Sequence, residues 1–426
     1  MIHHFACEIL IIGAGLAGLT AGYDLASRGY DVKIVESHNH VGGRVSTAHL
    51  SDGTHFEKGA FSFGDGEHPL WDYVQKFNLP VIKHTPIQRS FRFKNFTGTV
   101  DEKAFFLNSK EQEIILAELF DYFRPALEKI TEDMSFDKAL KFVGASDEAI
   151  EWLQAMTLFG LLGNNFQELS TKAALAFMKQ YDDSTAFYAL KGGNDQLPQA
   201  FAQHLEDKMY LNHGVQKIEQ LQDTCLVTGA AFTAQAKNVI LAIPLPALNK
   251  IDFQPTLSLE KQAAIQLVSY TPCARLSIIA PAHIVSNSPQ GGVFLFSDQL
   301  GWLRDQSAFQ QDTEKKTVIN TSVAGDKAKK MMGSIEQWKD DMNDFFCKAY
   351  PSWDQKKADY YPTILEQAYS SFSVDAYKQK KHLGSPKGRL YFAGEHTNKN
   401  FASMNGAIQS GIRVAQEVLS SLSNTR

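Results

Sequence analysis

The chain has 426 residues, of which 44% are hydrophobic and 21% charged, with a formal net charge of −5. That length exceeds what one compact core serves and suits two intertwined domains. The mild acidic balance excludes the basic footprint of a nucleic-acid binder. The four cysteines, Cys7, Cys225, Cys273 and Cys347, lie far apart. They lack the C-x-x-C spacing of a redox dithiol or zinc site, so no residue is assigned to a metal. The start has no signal-peptide pattern, and no apolar run nears the roughly 18–20 residues that cross a bilayer. The expectation is a soluble, cytoplasmic protein acting on a small molecule, with no transmembrane segment.

Taken in chain order, the first 36 residues read as one β-α-β unit. Glu8 to Ile12 is a short β-branched run suited to a strand buried on both faces. Gly13-Ala14-Gly15-Leu16-Ala17-Gly18 breaks it, and a helix is expected over Leu19 to Ser27, ended by Gly29 in a left-handed turn. Val32 to Glu36 is the second strand. From about Lys110 to Tyr181 glycine is scarce, and Glu113 to Phe120 and Thr171 to Lys179 favour helix, which predicts a helical insertion. Lys191 to Asn194 ends it and leads into a helix over Gln196 to Leu205. Strands are expected at Val215 to Ile218, at Asn238 to Ile243 before Pro244, and at Cys273 to Ile279. A helix follows over Ile335 to Tyr350. Arg389 to Ala393 returns as a strand, and Gly406 to Leu419 as a helix.

The glycine fingerprint carries chemistry. Gly13 permits a tight turn, Gly15 lets a pyrophosphate approach the backbone, and Gly18 allows close helix–strand packing. Leu16 and Ala17 lead into the helix, whose N-terminus presents free N–H groups to phosphates. Glu36 closes the second strand, where a carboxylate accepts from ribose hydroxyls, with Ser37 beside it. Val41-Gly42-Gly43-Arg44 follows, with two glycines that let the backbone pass a bound cofactor and an arginine able to donate to a diphosphate.

In this order the fingerprint, the acidic residue and the Gly-Gly-Arg box resemble the start of the flavin-containing amine oxidase superfamily. Further segments extend the resemblance. Phe56 to Ala60 is similar to the stretch whose glycine, here Gly59 before Ala60, lies beneath the isoalloxazine. Val215 stands where the family reads adenine with backbone groups. Tyr391 to Thr397, with Gly394 and Glu395, then Met404, Asn405, Gly406 and Ala407, resemble the motif that closes over the flavin. A helix starting there would face the flavin pyrimidine with backbone N–H groups and stabilise the reduced ring.

The resemblance implies an α/β fold: a Rossmann-like FAD-binding domain (GR2-type) with a discontinuous mixed-sheet plus helical substrate domain. The expected division is 1–80, 188–255 and 386–426 for FAD, and 81–187 and 256–385 for the substrate or cap. It implies FAD held noncovalently, since Ala376 stands where some members carry a flavin-bound cysteine. Tyr377 matches one wall of the aromatic cage that guides amines, but Ser403 stands at the other. Arg275, within Tyr270 to Leu276, matches the strand that supplies a lysine near flavin N5. An arginine keeps its proton, so Arg275 either binds a substrate carboxylate or pairs with an acid. Trp302 to Asp305 resembles a short stretch of renalase-like members. Phe61, Phe63, Phe159 and Phe166 are candidates for a pocket wall or for ordinary core.

With one dinucleotide fingerprint there is no second site for NAD(P)H. The leading expectation is an FAD-dependent oxidoreductase that takes a hydride from an amine-type substrate. Two alternatives stand beside it: a carbon–carbon desaturase like phytoene or protoporphyrinogen dehydrogenases, and a flavin-free protein like GDP-dissociation inhibitors. Glu36, Arg44 and the Gly394-Glu395 box speak against the last.

Overall fold

A computed structural model describes residues 3–83, 90–93, 96–99, 103–107, 112–115, 118–157, 166–184, 186–281, 292–297, 300–310, 316–350 and 353–423. Ile9, Leu10, Ile11 and Ile12 are buried in the strand His3–Ile12. They can be buried on both faces because the strand is interior: it pairs in parallel with Val32–Val35 on one side and Phe232–Leu241 on the other. The eight-stranded sheet runs in the order 209–210, 32–35, 3–12, 232–241, 225–229, 215–220, 252–254. Phe232–Leu241 serves two neighbours along its length. Its first half pairs antiparallel with 225–228, and Val239 to Leu241 pair in parallel with Leu390–Phe392.

From His3–Ile12 the sheet extends in both directions, so its carboxyl end opens at a reversal of strand order, where doubly wound sheets bind ligands. The helix Leu16–Ser27 starts at that end and stops at Gly29, whose φ is 85°. The C-terminal helix Met404–Ser423 packs on it so closely that a Cβ on Gly411 would lie 2.4 Å from the Ala17 carbonyl oxygen.

A second sheet has seven strands, in the order 359–371, 269–281, 316–324, 301–305, 292–297, 90–93, 96–99. Period-2 alternation gives it two distinct faces. Ala274, Leu276 and Ile278 pack with Trp338, Met342 and Phe346 of the helix Ile335–Ala349. The opposite face presents Arg275, Ser277, Asn320, Ser322, Trp302 and Arg304, since Arg275 pairs with Ser322, Ser277 with Asn320, and Arg304 with Asn320.

The helices expected in the middle of the chain are found at Leu119–Leu127, Phe136–Phe142, Asp147–Thr157 and Thr171–Lys179. The expectation of helix from Glu113 is corrected. Gln112–Ile115 is a strand paired antiparallel with Ala104–Leu107, and the helix begins only at Leu119. The β-branched pair Ile114-Ile115 suits a hairpin strand, and tertiary pairing overrides the helical composition around it. Phe159 lies outside the described residues.

Candidate active site

The fingerprint and the Gly-Gly-Arg box are stitched together by backbone. Gly42 N–H donates to the Ala14 carbonyl at 2.9 Å, and Gly15 bridges Gly42 in parallel. Gly13 and Gly42 have φ of 103° and 100°, in the region that favours glycine. A Cβ on Gly18 would lie 2.0 Å from the Gly13 carbonyl oxygen, so the helix approaches the turn only because that atom is missing. At Gly15 the same test meets nothing within 4 Å. This open flank beside the helix start is where a phosphate would reach backbone N–H groups, so these residues fit a dinucleotide.

Glu36 and Ser37 lie next to that flank. The Glu36 carboxylate accepts from Ala14 N–H at 2.8 Å and His38 N–H at 2.9 Å, and its backbone carbonyl accepts from His213 N–H at 2.7 Å. Burial alone would raise its pKa, but these donors, with the His38 and Ser37 side chains, hold it below the ordinary value. Gly214 packs on Ser37, with 3.6 Å between its Cβ position and Ser37 Cβ, which brings Val215 alongside.

Arg44 ties the box to the rest. Its Nη1 donates to Glu395 Oε1 at 2.8 Å and to the Ala368 carbonyl at 3.1 Å. The Glu395 carboxylate also accepts from Ser370 Oγ at 2.5 Å and Ala402 N–H at 2.9 Å. Burial opposes its charge, yet Arg44 and His396 bring its pKa down to about 2. The backbone of the box holds the next segment, since Ala60 N–H donates to the Arg44 carbonyl at 3.0 Å. A Cβ on Gly59 would sit 2.0 Å from that same oxygen.

At the start of the C-terminal helix, Ser403 Oγ accepts from Gly406 N–H at 3.0 Å, an N-cap. Ala407 N–H donates to the Ser403 carbonyl at 3.2 Å, opening the intrahelical ladder. The N–H groups of Met404 and Asn405 lie in the first turn, outside the intrahelical ladder. The Asn405 side chain is directed elsewhere, accepting from Leu70 N–H at 3.1 Å.

The second sheet meets this assembly at Glu57 to Phe61. Arg275 Nη1 donates to the Gly59 carbonyl and, at 3.3 Å, to that of Glu57, while Asn320 Nδ2 donates to the Glu57 carbonyl at 3.3 Å. Arg275 pairs with no acid among the described residues. The nearby Glu57 carboxyl is instead pushed up to about 8 by burial and takes bonds from Thr47 and Asn194. The guanidinium of Arg304 stacks 4.4 Å over the Phe61 ring.

Tyr377 is in a different cluster. Its ring lies 6.2 Å from Phe372, and the Lys380 ammonium sits 4.3 Å from Phe372, 4.2 Å from Phe401 and 5.7 Å from Tyr377. Phe63 and Phe166 are core, at 1% and 4% exposure. Sequence reasoning passed over Lys380 and Tyr369 and gave Arg304 no role. The signal for Arg304 was its alternation with Trp302 on one strand face.

Residues 16–419 match the profile of the flavin-containing amine oxidoreductases. The chain belongs to that family. An L-amino-acid oxidase of Pseudechis australis is 23% identical over 96% of this chain and 86% of its own length. The putative L-amino-acid oxidase YobN of Bacillus subtilis is 24% identical, over 96% and 94%. Putrescine oxidase bound to putrescine superposes with a TM-score of 0.81 at 18% identity, covering 98% of this chain and 100% of that one. Cyclohexylamine oxidase from Brevibacterium oxydans IH-35A gives 0.81 at 17%, over 98% and 99%. The protein is an FAD-dependent oxidoreductase with the amine-oxidase fold, and its FAD is noncovalent. Among the described residues no helix is long and apolar enough to cross a membrane.

Proposed function

We propose that this chain oxidises an amine-type substrate, with oxygen or another acceptor taking up the electrons afterwards. Bound FAD would supply the redox chemistry, as the acceptor of a hydride from the carbon next to a neutral nitrogen. The observation that carries this reading is the match to an amine oxidoreductase family across residues 16–419.

The residues at hand have consistent roles. Gly13, Gly15, Leu16, Ala17, Gly18, Gly42 and Gly43 would hold the diphosphate on backbone, with Arg44 as the adjacent charge. Glu36 and Ser37 would take the ribose, and Val215 the adenine. Gly59 and Ala60 would support the ring, Gly394 and Glu395 its ribityl side, and Met404 and Asn405 its pyrimidine edge. Arg275, fixed on Gly59, would meet the substrate face but keeps its charge and shuttles no proton, and Tyr377 would form one wall of the approach. Glu395 then acts mainly as the anchor that aims Arg44. The strands of the eight-stranded sheet all fall within 1–80, 188–255 and 386–426, and those of the seven-stranded sheet within 81–187 and 256–385. That distribution supports the first set as the FAD domain and the second as the substrate domain.

The test is the absorbance spectrum of purified protein, followed by anaerobic addition of an amine panel. Bleaching of the flavin bands by an amine supports the reading. Ser403, capping a helix where an aromatic would complete a cage, favours a second one: a desaturase for a larger apolar substrate. Flavin bands that survive every amine and bleach with such a substrate would select it.

A further inference from the structure

Lys380 ends the short helix Val374–Gln379 and places its ammonium in an aromatic niche. Nζ lies 4.2 Å from the Phe401 ring centre and 4.3 Å from that of Phe372, two buried rings that meet edge to face at 4.8 Å. Among the described residues the ammonium has no carboxylate partner, and it donates to the Asn398 carbonyl at 2.5 Å. From there a chain of bonds runs to the start of the C-terminal helix. Asn400 N–H donates to Asn398 Oδ1 at 2.9 Å, Ser403 Oγ donates to the Asn400 carbonyl at 2.9 Å, and Gly406 N–H donates to Ser403 Oγ at 3.0 Å. The segment lies tight on the helix, since a Cβ on Gly406 would sit 1.6 Å from the Asn400 carbonyl oxygen. An apolar side chain would fill the niche between Phe372 and Phe401 without the cost of desolvating a charge. A lysine there calls for an electrostatic reason.

The charges around it supply one. Arg44 neutralises Glu395 through their 2.8 Å ion pair. Burial brings the His396 pKa down to about 4, so that ring is uncharged near neutrality. Lys261, also close enough to act on His396, donates instead to the His382 and Leu383 carbonyls. That leaves Lys380 as the cation that holds the Asn398–Ser403 segment without a counter-ion. Burial lowers its pKa to about 7 while the Glu395 charge opposes the fall, so the amine is protonated at mildly acidic pH. We propose that Lys380 is a positioning residue for the cofactor: it fixes the Asn398–Ser403 segment ahead of the flavin-facing helix turn, and its unbalanced positive charge favours the reduced ring. This rests on Met404 and Asn405 meeting the flavin pyrimidine, as above, and not on which substrate delivers the electrons.

The test measures the flavin midpoint potential of FAD-loaded protein at pH 6, where Lys380 carries its proton, by reduction with dithionite against a reference dye. Lys380→Met keeps the apolar stem and removes the charge. It should lower the equilibrium constant for flavin reduction roughly tenfold, the order expected of one charge acting through protein. For a two-electron couple that is a potential lower by about 30 mV. Lys380→Gln is a second neutral variant and should follow it, whereas Lys380→Arg keeps the charge and should stay within about twofold of wild type. Loss of flavin from both neutral variants, with retention by Lys380→Arg, would equally support a role for the charge. A wild-type potential in either neutral variant overturns the proposal. So does a Lys380→Arg variant that shifts as far as Lys380→Met or loses its flavin, since packing alone then accounts for the site. No substrate enters this measurement, so its result is separate from the amine reading, which stands or falls on whether amines bleach the flavin. The placement of Met404 and Asn405 is judged apart from both, by the flavin spectrum of Ser403→Ala.

Discussion

Gly15 shows how much one missing side chain decides. A Cβ there meets nothing within 4 Å, so Gly15→Trp would project its ring into the phosphate approach. We expect a folded protein that loses its FAD, read as absent flavin absorbance with an unchanged circular dichroism spectrum. Arg44→Ala acts differently, because Glu395 is 4% exposed and relies on that guanidinium. Leaving a buried carboxylate alone costs about 3–5 kcal/mol, so lower thermal stability and weaker FAD retention should appear together. Arg275→Lys restores a group that can lose a proton beside Gly59, and the rate of flavin reoxidation by oxygen should change. An unchanged rate in stopped flow would place Arg275 away from the reacting edge. The sequence pointed to Gly15 and Arg44 through motif spacing and to Arg275 through family resemblance, but it could not show that Arg44 spends a donor on Glu395, 351 positions along the chain.

At the scale of elements, the C-terminal helix is the clearest case of a sequence pattern with two jobs. Ser403 replaces an aromatic expected from family resemblance, and its hydroxyl caps Gly406. Ser403→Ala should therefore lower stability by about 1 kcal/mol, measured as a shift of the denaturation midpoint, with the flavin spectrum perturbed if Met404 and Asn405 move. The strand Ser269–Pro281 was expected over its Cys273 to Ile279 part, which ends in the β-branched pair Ile278-Ile279. Gln112–Ile115 was not, since four residues are too few for periodicity to separate strand from helix, and the partner strand supplies the deciding hydrogen bonds.

For the whole molecule, buried carboxyls set how stability follows pH, and they pull in opposite directions. Glu57 and Glu67, raised by burial to about 8 and about 7, keep their protons to higher pH when folded than when unfolded. Their stabilisation is complete below the ordinary carboxyl value of 4.5 and is lost as pH rises through the folded values. Glu395 behaves in reverse: its contribution is full above 4.5 and disappears as pH falls towards 2. The melting temperature should thus peak on the mildly acidic side and decline through neutrality. Glu57→Gln should flatten that decline, and a melting curve that stays just as pH-dependent in the variant would exclude Glu57 as its source.

By itself the sequence determined the glycine fingerprint, the interior strand and the acid that closes the next one, because these depend on local rules: glycine where backbone must turn or approach, a β-branched run where a strand is interior, an acid at the strand end; the two-domain α/β plan and the noncovalent FAD were implied by family resemblance. Only the tertiary structure decided which distant segments share a surface. Arg275 and Asn320 come from two strands separated by a long stretch of chain, yet both donate to the Glu57 carbonyl, and nothing in their spacing brings them together. Sheet register does so, through hydrogen bonds between strands whose partners are chosen by the fold and not by their neighbours in sequence.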